Sequence, residues 1–223
     1  KPRIFNIYGE DGTSVSANYN PKRTGFLINK KTEEPFEVNI LRIKDYEDDD
    51  REAFLFMSKD LNTEYGYVEL DKAYDTYDED LEYDYPEYGI VGDRVVVSYL
   101  KNNQKAKIGG VGKLADRVAV QYCIENDINP RCIISHAAEG SHVAHYKRGK
   151  RFIPPKKSEL EHKHLMDNYK NSNPNKILKM LIRESEKNGE PVDIKGWGEL
   201  GLKMYLPKEL VDKYSKEKFE GWE

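Results

Sequence analysis

Cysteine is scarce: only Cys123 and Cys132 occur in the 223 residues, both among apolar neighbours, which excludes a disulfide framework. Long hydrophobic runs are missing too. No stretch approaches the roughly 18 to 20 apolar residues that span a bilayer, and the first residues lack the apolar segment of a signal peptide. The expectation is therefore a soluble protein of the reducing cytoplasm, without a membrane partner. An excess of one charge is absent as well, since 36 Lys and Arg face 40 Asp and Glu for a formal net charge of -4. No global field points to nucleic acid or an anionic surface, so partners have to be read from local sites. No internal repeat is found.

What is present suffices for one cored domain with a helical appendage. The first hundred residues carry short apolar or alternating runs at Gly25 to Ile28, Phe36 to Ile43, Ala53 to Met57 and Tyr65 to Leu70, separated by turn-rich or charged segments. These predict an antiparallel meander. From Asp71 to Tyr88 acidic residues alternate with tyrosines, which reads as an insertion or loop: a solvated connector, or a surface for a cationic ligand. The run Arg94 to Leu100 is β-branched and continuous, as in a strand buried on both faces. Leu114, Ala115, Val118, Ala119, Tyr122 and Cys123 then repeat with helical spacing, and Arg131 to Ser135 forms a second buried strand. Strand, glycine turn, helix and strand in that order predict a crossover joining parallel neighbours.

Beyond Pro154-Pro155 the chain is charged and helical in pattern. Asn173-Pro174 opens a stripe of Ile177, Leu178, Leu181 and Ile182, and Leu206-Pro207 opens a last helix with Leu210, Val211 and Tyr214. The organisation expected is a domain over residues 1–155 and a helical extension over 156–223 packed on it.

The glycines between strand and helix are the chief chemical signal. Gly110, Val111, Gly112 and Lys113 are placed where backbone amides at a helix start meet an anion, although such turns also arise for steric reasons alone. The dinucleotide fingerprint and the triphosphate P-loop are both unmet. All five histidines lie between His136 and His164, but no pair among them has recognised zinc spacing, so no metal is expected. The basic run Lys147, Arg148, Lys150, Arg151, Lys156 and Lys157 suits a phosphate, RNA or solvent.

Lys107-Ile108-Gly109-Gly110-Val111-Gly112 resembles the pyrophosphate-binding turn of the GNAT superfamily of acyl-CoA-dependent acetyltransferases, Gln/Arg-x-x-Gly-x-Gly/Ala, with Lys in first place. Some thirty residues later Ala144-His145-Tyr146-Lys147-Arg148-Gly149-Lys150-Arg151-Phe152 is similar to that family's second motif. The resemblance spans residues 89–152. It implies an α+β fold: a GNAT-like mixed sheet with antiparallel N-terminal strands, a central parallel strand-helix-strand unit and a helical C-terminal tail. It also implies acetyl-CoA as cofactor, held by main-chain groups of Val97, Ser98 and Tyr99 and by Lys107, Gly110, Val111, Gly112 and Lys113. Tyr146 is then the acid that protonates the leaving thiolate, and Glu69 or His136 the base. The implied activity is N-acyl transfer from acyl-CoA to an amine, small molecule or protein, with a cationic acceptor favoured by the acidic stretch.

The two helices that wall the family's acceptor site have no counterpart before Ala53. A catalytically inactive, GNAT-like binding or scaffold module is therefore the alternative. An RNA-binding protein using Lys147 to Lys157 ranks third, since the charge balance and the missing RNA motif both speak against it.

Overall fold

The computed structural model describes residues 3–8, 14–43, 51–73, 84–137, 142–153 and 202–217. Its elements are β1 (Arg3–Tyr8), β2 (Ser14–Tyr19), β3 (Thr24–Asn29), β4 (Pro35–Ile43), β5 (Arg51–Met57), β6 (Glu64–Ala73), β7 (Arg94–Asn102), β8 (Ile108–Gly109), α1 (Val111–Glu125), β9 (Ile133–Ala137), α2 (His142–Lys147), β10 (Arg151–Phe152), β11 (Leu202–Tyr205) and α3 (Lys208–Lys216). The strands form one sheet in the order β1-β2-β4-β5-β6-β7-β9-β11-β10, with β3 and β8 off this path. Pairing is antiparallel from β4 to β7. β7 and β9 are parallel, from Val95 opposite Ile133 to Val97 opposite Ser135, with α1 in the connection between them.

The whole sheet corrects the expected fold class. The chain is dominated by strand, eleven strands against three α-helices among the described residues, and its mixed sheet curls into a half-barrel rather than forming a clear GNAT-like sheet. The physical cause is visible at β8. This short piece of the β7-to-α1 connection pairs back onto β3, through Ile28 with Gly109 and Asn29 with Ile108, and draws the N-terminal strands over the start of α1. A Cβ on Gly25 would stand 2.6 Å from Leu114 Cδ1, so the β3 backbone lies directly on the helix. β1 and β2 are not among the expected strands and extend the antiparallel edge further. The antiparallel pairing of β3 through β6 and the parallel neighbours β7 and β9 joined through α1 are as expected.

α1 holds the main core. Val111, Leu114, Ala115, Val118, Ala119, Tyr122 and Cys123 are buried, facing Leu27, Ile40, Phe54, Phe56, Val68, Leu70, Val95 and Val97 from the sheet. The helix starts at Gly110, whose φ of 89° only glycine adopts without strain. It ends where the Asn126 side chain donates to the Tyr122 carbonyl at 2.8 Å and Asp127 turns to a φ of 56°. α3 packs Val211 and Tyr214 against the same core. β11 enters the sheet between β9 and β10, so the C-terminal segment supplies a strand as well as a helix. The helix expected around Ile177 to Ile182 lies outside the described residues.

Three further readings change in detail. The strand expected from Arg131 begins at Ile133, because Asn129 caps a 3-10 turn by accepting from the Arg131 amide at 3.0 Å, with Pro130 in its first position. β7 is buried through Val97 but exposed at Ser98 and Tyr99. The acidic stretch is in part structured: β6 runs on to Ala73, and Tyr85 is buried with Ile90, Ile134 and Ile153. Among the described residues no helix is long and apolar enough to cross a membrane.

Candidate functional site

The exposed end of β7 begins at a bulge. Glu69 of β6 pairs with Tyr99, yet the next residue, Leu70, pairs with Val97, so Ser98 is the extra residue. Side-chain directions agree. Val97 and Leu100 both face the α1 core although they are three residues apart, which regular alternation forbids. Between them Ser98 and Tyr99 turn to the other face of the sheet, where the Tyr99 ring meets Tyr67 edge-on at 5.9 Å and Ser98 Oγ donates to Glu69 Oε1 at 3.3 Å.

On its other side β7 loses its parallel neighbour at the same place. The register with β9 stops at Val97 and Ser135, while β6 accompanies β7 on to Asn102 and β9 continues beside β11 to Ala137. The two parallel strands thus part, leaving the edge of Ser98 to Asn102 without a strand partner among the described residues. A parting of this kind exposes main-chain donors and acceptors that an extended ligand can satisfy.

α1 starts at this same end of the sheet, because the connection from β7 leads straight into it. Its first turn is formed by Val111, Gly112 and Lys113, whose amides have no partner within the helix and carry the positive end of its dipole. Gly112 lies under Arg148, since a Cβ there would stand 2.4 Å from the guanidinium carbon. Arg148 is held by His145 Nδ1 at 2.7 Å and, more distantly, by Asp116 at 3.7 Å. A guanidinium always donates, so His145 Nδ1 is the acceptor of this contact.

Below Arg148 lies a buried polar knot. Lys150 Nζ is 2.7 Å from Asp116 Oδ1 and 2.5 Å from Ser135 Oγ, with Lys150, Asp116 and Ser135 all nearly inaccessible. Burial pushes the Lys150 ammonium below the ordinary lysine range, and Asp116 pulls it part of the way back. The knot joins α1, β9 and the segment entering β10, and so fixes how the parting strands meet the helix start.

The structure brings the expected residues into two groups. Glu69, Val97, Ser98 and Tyr99 meet at the bulge, with the carboxylate of Glu69 also accepting from Tyr67 Oη at 3.0 Å. Gly110, Val111, Gly112 and Lys113 form the start of α1. Lys107 is in the left-handed region with φ 49°, and its carbonyl accepts from the Lys30 amide at 3.0 Å, so its backbone serves the β3 contact. Tyr146 lies on α2 between His145 and Arg148, its ring covered by the Arg151 guanidinium at 4.5 Å. His136 falls on β9 opposite Lys203.

The contact of Asp116, Ser135 and Lys150 was not anticipated, and Lys150, expected in a basic run facing phosphate, RNA or solvent, is instead buried on Asp116 and Ser135. The available signal was an aspartate set within the apolar stripe of α1, a position that buries a charge only when it has a partner. Among the described residues no group of three or more His, Cys, Asp or Glu is placed to hold a metal ion. No protein-family model matches the chain, and no curated protein matches it.

Proposed function

We propose that the chain is an acyl-CoA-dependent N-acyltransferase that transfers an acetyl group to a cationic amine. One observation carries the reading: β7 bulges at Ser98 and parts from β9 at the end of the sheet where α1 begins. An extended arm of amide groups fits the open edge of β7, and a pyrophosphate fits the first turn of α1 beside Arg148. This is a ligand of coenzyme A chemistry, long, amide-bearing at one end and doubly anionic at the other. The reading depends on this local arrangement and on the turn at residues 107–112, and does not require the superfamily's sheet.

In the proposed reaction the acceptor ammonium gives a proton to Glu69, and the free amine attacks the thioester carbonyl. A C–N bond forms, the oxyanion is held by a β7 amide, the C–S bond breaks as Tyr146 gives its proton to the thiolate, the second proton shed by the amine nitrogen restores the Tyr146 phenol, and Glu69 releases the first proton to solvent. Two buried free thiols, Cys123 and Cys132, suit the cytoplasm, where acyl-CoA is made.

The test is titration of acetyl-CoA into the folded chain, followed by amide NMR. The expected result is saturable binding with shifts concentrated at Ser98 to Lys101 and at Gly112 and Lys113, together with about 2.7 kcal/mol of stabilisation at a hundredfold excess over Kd. Absence of binding at millimolar acetyl-CoA, or shifts elsewhere, refutes the reading.

A further inference from the structure

β3 has one edge on β4 and a second edge that is covered only in part. Hydrogen-bonded pairs alternate along an antiparallel ladder, and two bonds fix their parity here: the Asn29 amide donates to the Glu34 carbonyl at 3.0 Å, and the Ile40 amide to the Arg23 carbonyl at 2.9 Å. Arg23, Gly25, Leu27 and Asn29 therefore turn their main-chain groups to β4. Thr24, Phe26, Ile28 and Lys30 turn theirs to the opposite edge. β8 takes the last two of these, with Ile28 opposite Gly109 and the Lys30 amide donating to the Lys107 carbonyl at 3.0 Å. The chain then leaves the edge, because Gly110 turns it at a φ of 89° into α1. The main-chain N–H and C=O groups of Thr24 and Phe26 are left without a strand partner among the described residues.

The surface beside this open edge is apolar, and its rim is basic. Gly25 and Leu27 face α1, so Phe26 and Ile28 stand on the outer face, where they are 58% and 45% exposed. A charge or a proline within the strand ordinarily protects such an edge, and Thr24–Asn29 holds neither. Lys22, Lys30, Lys31 and Lys107 surround it, all exposed and none in an ion pair among the described residues. Of the carboxylates nearby, Glu37 opposite Phe26 is already held by Lys59 at 2.6 Å, and Glu33 and Glu34 lie in the turn beyond Asn29. The rim is left positive.

We propose that the open edge of β3 is a docking site for an extended, acidic segment of a partner protein. The segment adds as a strand beside Thr24 and Phe26, lays apolar side chains on Phe26 and Ile28, and sets its carboxylates among the lysines. The site stands independently of the acyltransferase reading. Charge and backbone together decide the occupant. A second copy of β3, paired antiparallel on the same two residues, would bring Lys22 and Lys30 of one chain toward those of the other. A nucleic acid would satisfy the lysines but would build no ladder on the strand edge.

The probe is a short synthetic peptide of alternating valine and threonine with glutamates at both ends, titrated into the full chain and followed by amide NMR. The control is the same peptide with lysines in place of the glutamates. The expected result is saturable binding of the acidic peptide below about 1 mM, with hydrogen exchange at the Thr24 and Phe26 amides slowed about tenfold or more, and no binding of the basic one. N-methylation of the peptide should weaken binding at every second residue only, since alternate amides face β3. Lys30→Glu combined with Lys31→Glu should weaken it about tenfold at low salt and less as salt is added, and Phe26→Ala several-fold, in chains whose circular dichroism is unchanged. The proposal is overturned if the acidic peptide fails to bind at millimolar concentration, if the basic peptide binds equally well, or if N-methylation shows no period of two. It is also overturned if the Thr24 and Phe26 amides become protected with rising chain concentration alone, which assigns the edge to a second copy, or if single-stranded RNA protects them and the peptide does not.

Discussion

Asp116→Leu should be among the most destabilising single changes in the protein, more so than Lys150→Met, and the double variant should lose clearly less than the two single losses combined. Asp116 and Lys150 have side chains 4% and 1% exposed and are 2.7 Å apart. At that distance and an effective dielectric of 20 the gross attraction is about 6 kcal/mol, most of it offset by desolvation. Removing Asp116 leaves a buried ammonium with Ser135 as its remaining partner in the knot, which costs about 3 to 5 kcal/mol. Removing Lys150 leaves a carboxylate that still has Arg148 at 3.7 Å, so the cost falls to about 2 kcal/mol. With both replaced no charge is stranded, and the pair should couple by about 2 to 3 kcal/mol in a double-mutant cycle. Urea unfolding measures each term from its midpoint and slope. The reasoning is refuted if Asp116→Leu lies within 1 kcal/mol of the parent or if the two losses simply add.

The knot also has a pH signature. Burial depresses the folded-state value of Lys150, and below that value both states are protonated and the full cost of the buried ammonium is present. Between that depressed value and about 10.4 the unfolded chain binds more protons, so stability rises with pH, and Lys150→Met should erase the rise. The buried tyrosines act in the other direction. Burial raises Tyr214 above its ordinary value, so its contribution is complete below about 10 and is lost above it.

Gly110→Glu should abolish acetyl-CoA binding in calorimetry while the chain stays folded. The nearest atoms to a Cβ there are 3.9 Å away, so only the φ of 89° is strained, at about 1 kcal/mol. Tyr146→Phe should lower kcat by tenfold or more with little change in the acyl-CoA dissociation constant, measured by steady-state kinetics beside calorimetry; an unchanged rate returns Tyr146 to packing against Arg151. Deleting Ser98 should remove the bulge while leaving Leu100 opposite Val68 on the α1 core, so the chain stays folded and acetyl-CoA binding is lost, as read by thermal shift.

The parts of the molecule legible in the sequence are those in which one physical rule dominates. α1 is plain because Leu114, Val118 and Tyr122 recur at helical spacing and all three face the core. β7 is plain from its β-branched run. β1 is not, since Arg3 to Tyr8 mixes polar and apolar residues without alternation, and β2 is missing from the expected strands although Ser14 to Tyr19 alternates polar and apolar residues throughout. The curl is equally hidden, because it depends on Gly109 and Ile108 reaching Ile28 and Asn29 across some eighty residues of chain, which no local pattern encodes. At the candidate site the glycine turn was legible and the buried knot was not. Asp116, Ser135 and Lys150 belong to three different elements, and only the register of β9 beside β7 brings them together. The acidic residues Asp75, Asp78, Glu79 and Asp80, which suggested a cationic acceptor, lie outside the described residues, whereas Glu69 and Asp71 lie on β6.

The bulge gives the two halves of the proposed reaction a single origin. In a regular strand Ser98 and Tyr99 would face opposite sides of the sheet, one of them into the α1 core. One inserted residue turns both to the same face and still returns Leu100 to the core. It also tightens the local twist of β7, which acts where the register with β9 ends. The same three residues, Val97 to Tyr99, thus offer a main-chain edge to a donor on one side and set the Tyr99 ring and the Glu69 carboxylate on one face for an amine. A shift of the bulge by two positions along β7 would separate these two roles, moving the Tyr99 ring away from Glu69 while leaving the open edge in place. Moving the extra residue from Ser98 to Leu100 is therefore expected to preserve acetyl-CoA affinity and to lose activity on the amine, and loss of both together in a folded variant would mean that the open edge and the Glu69 face are not separable roles of the bulge.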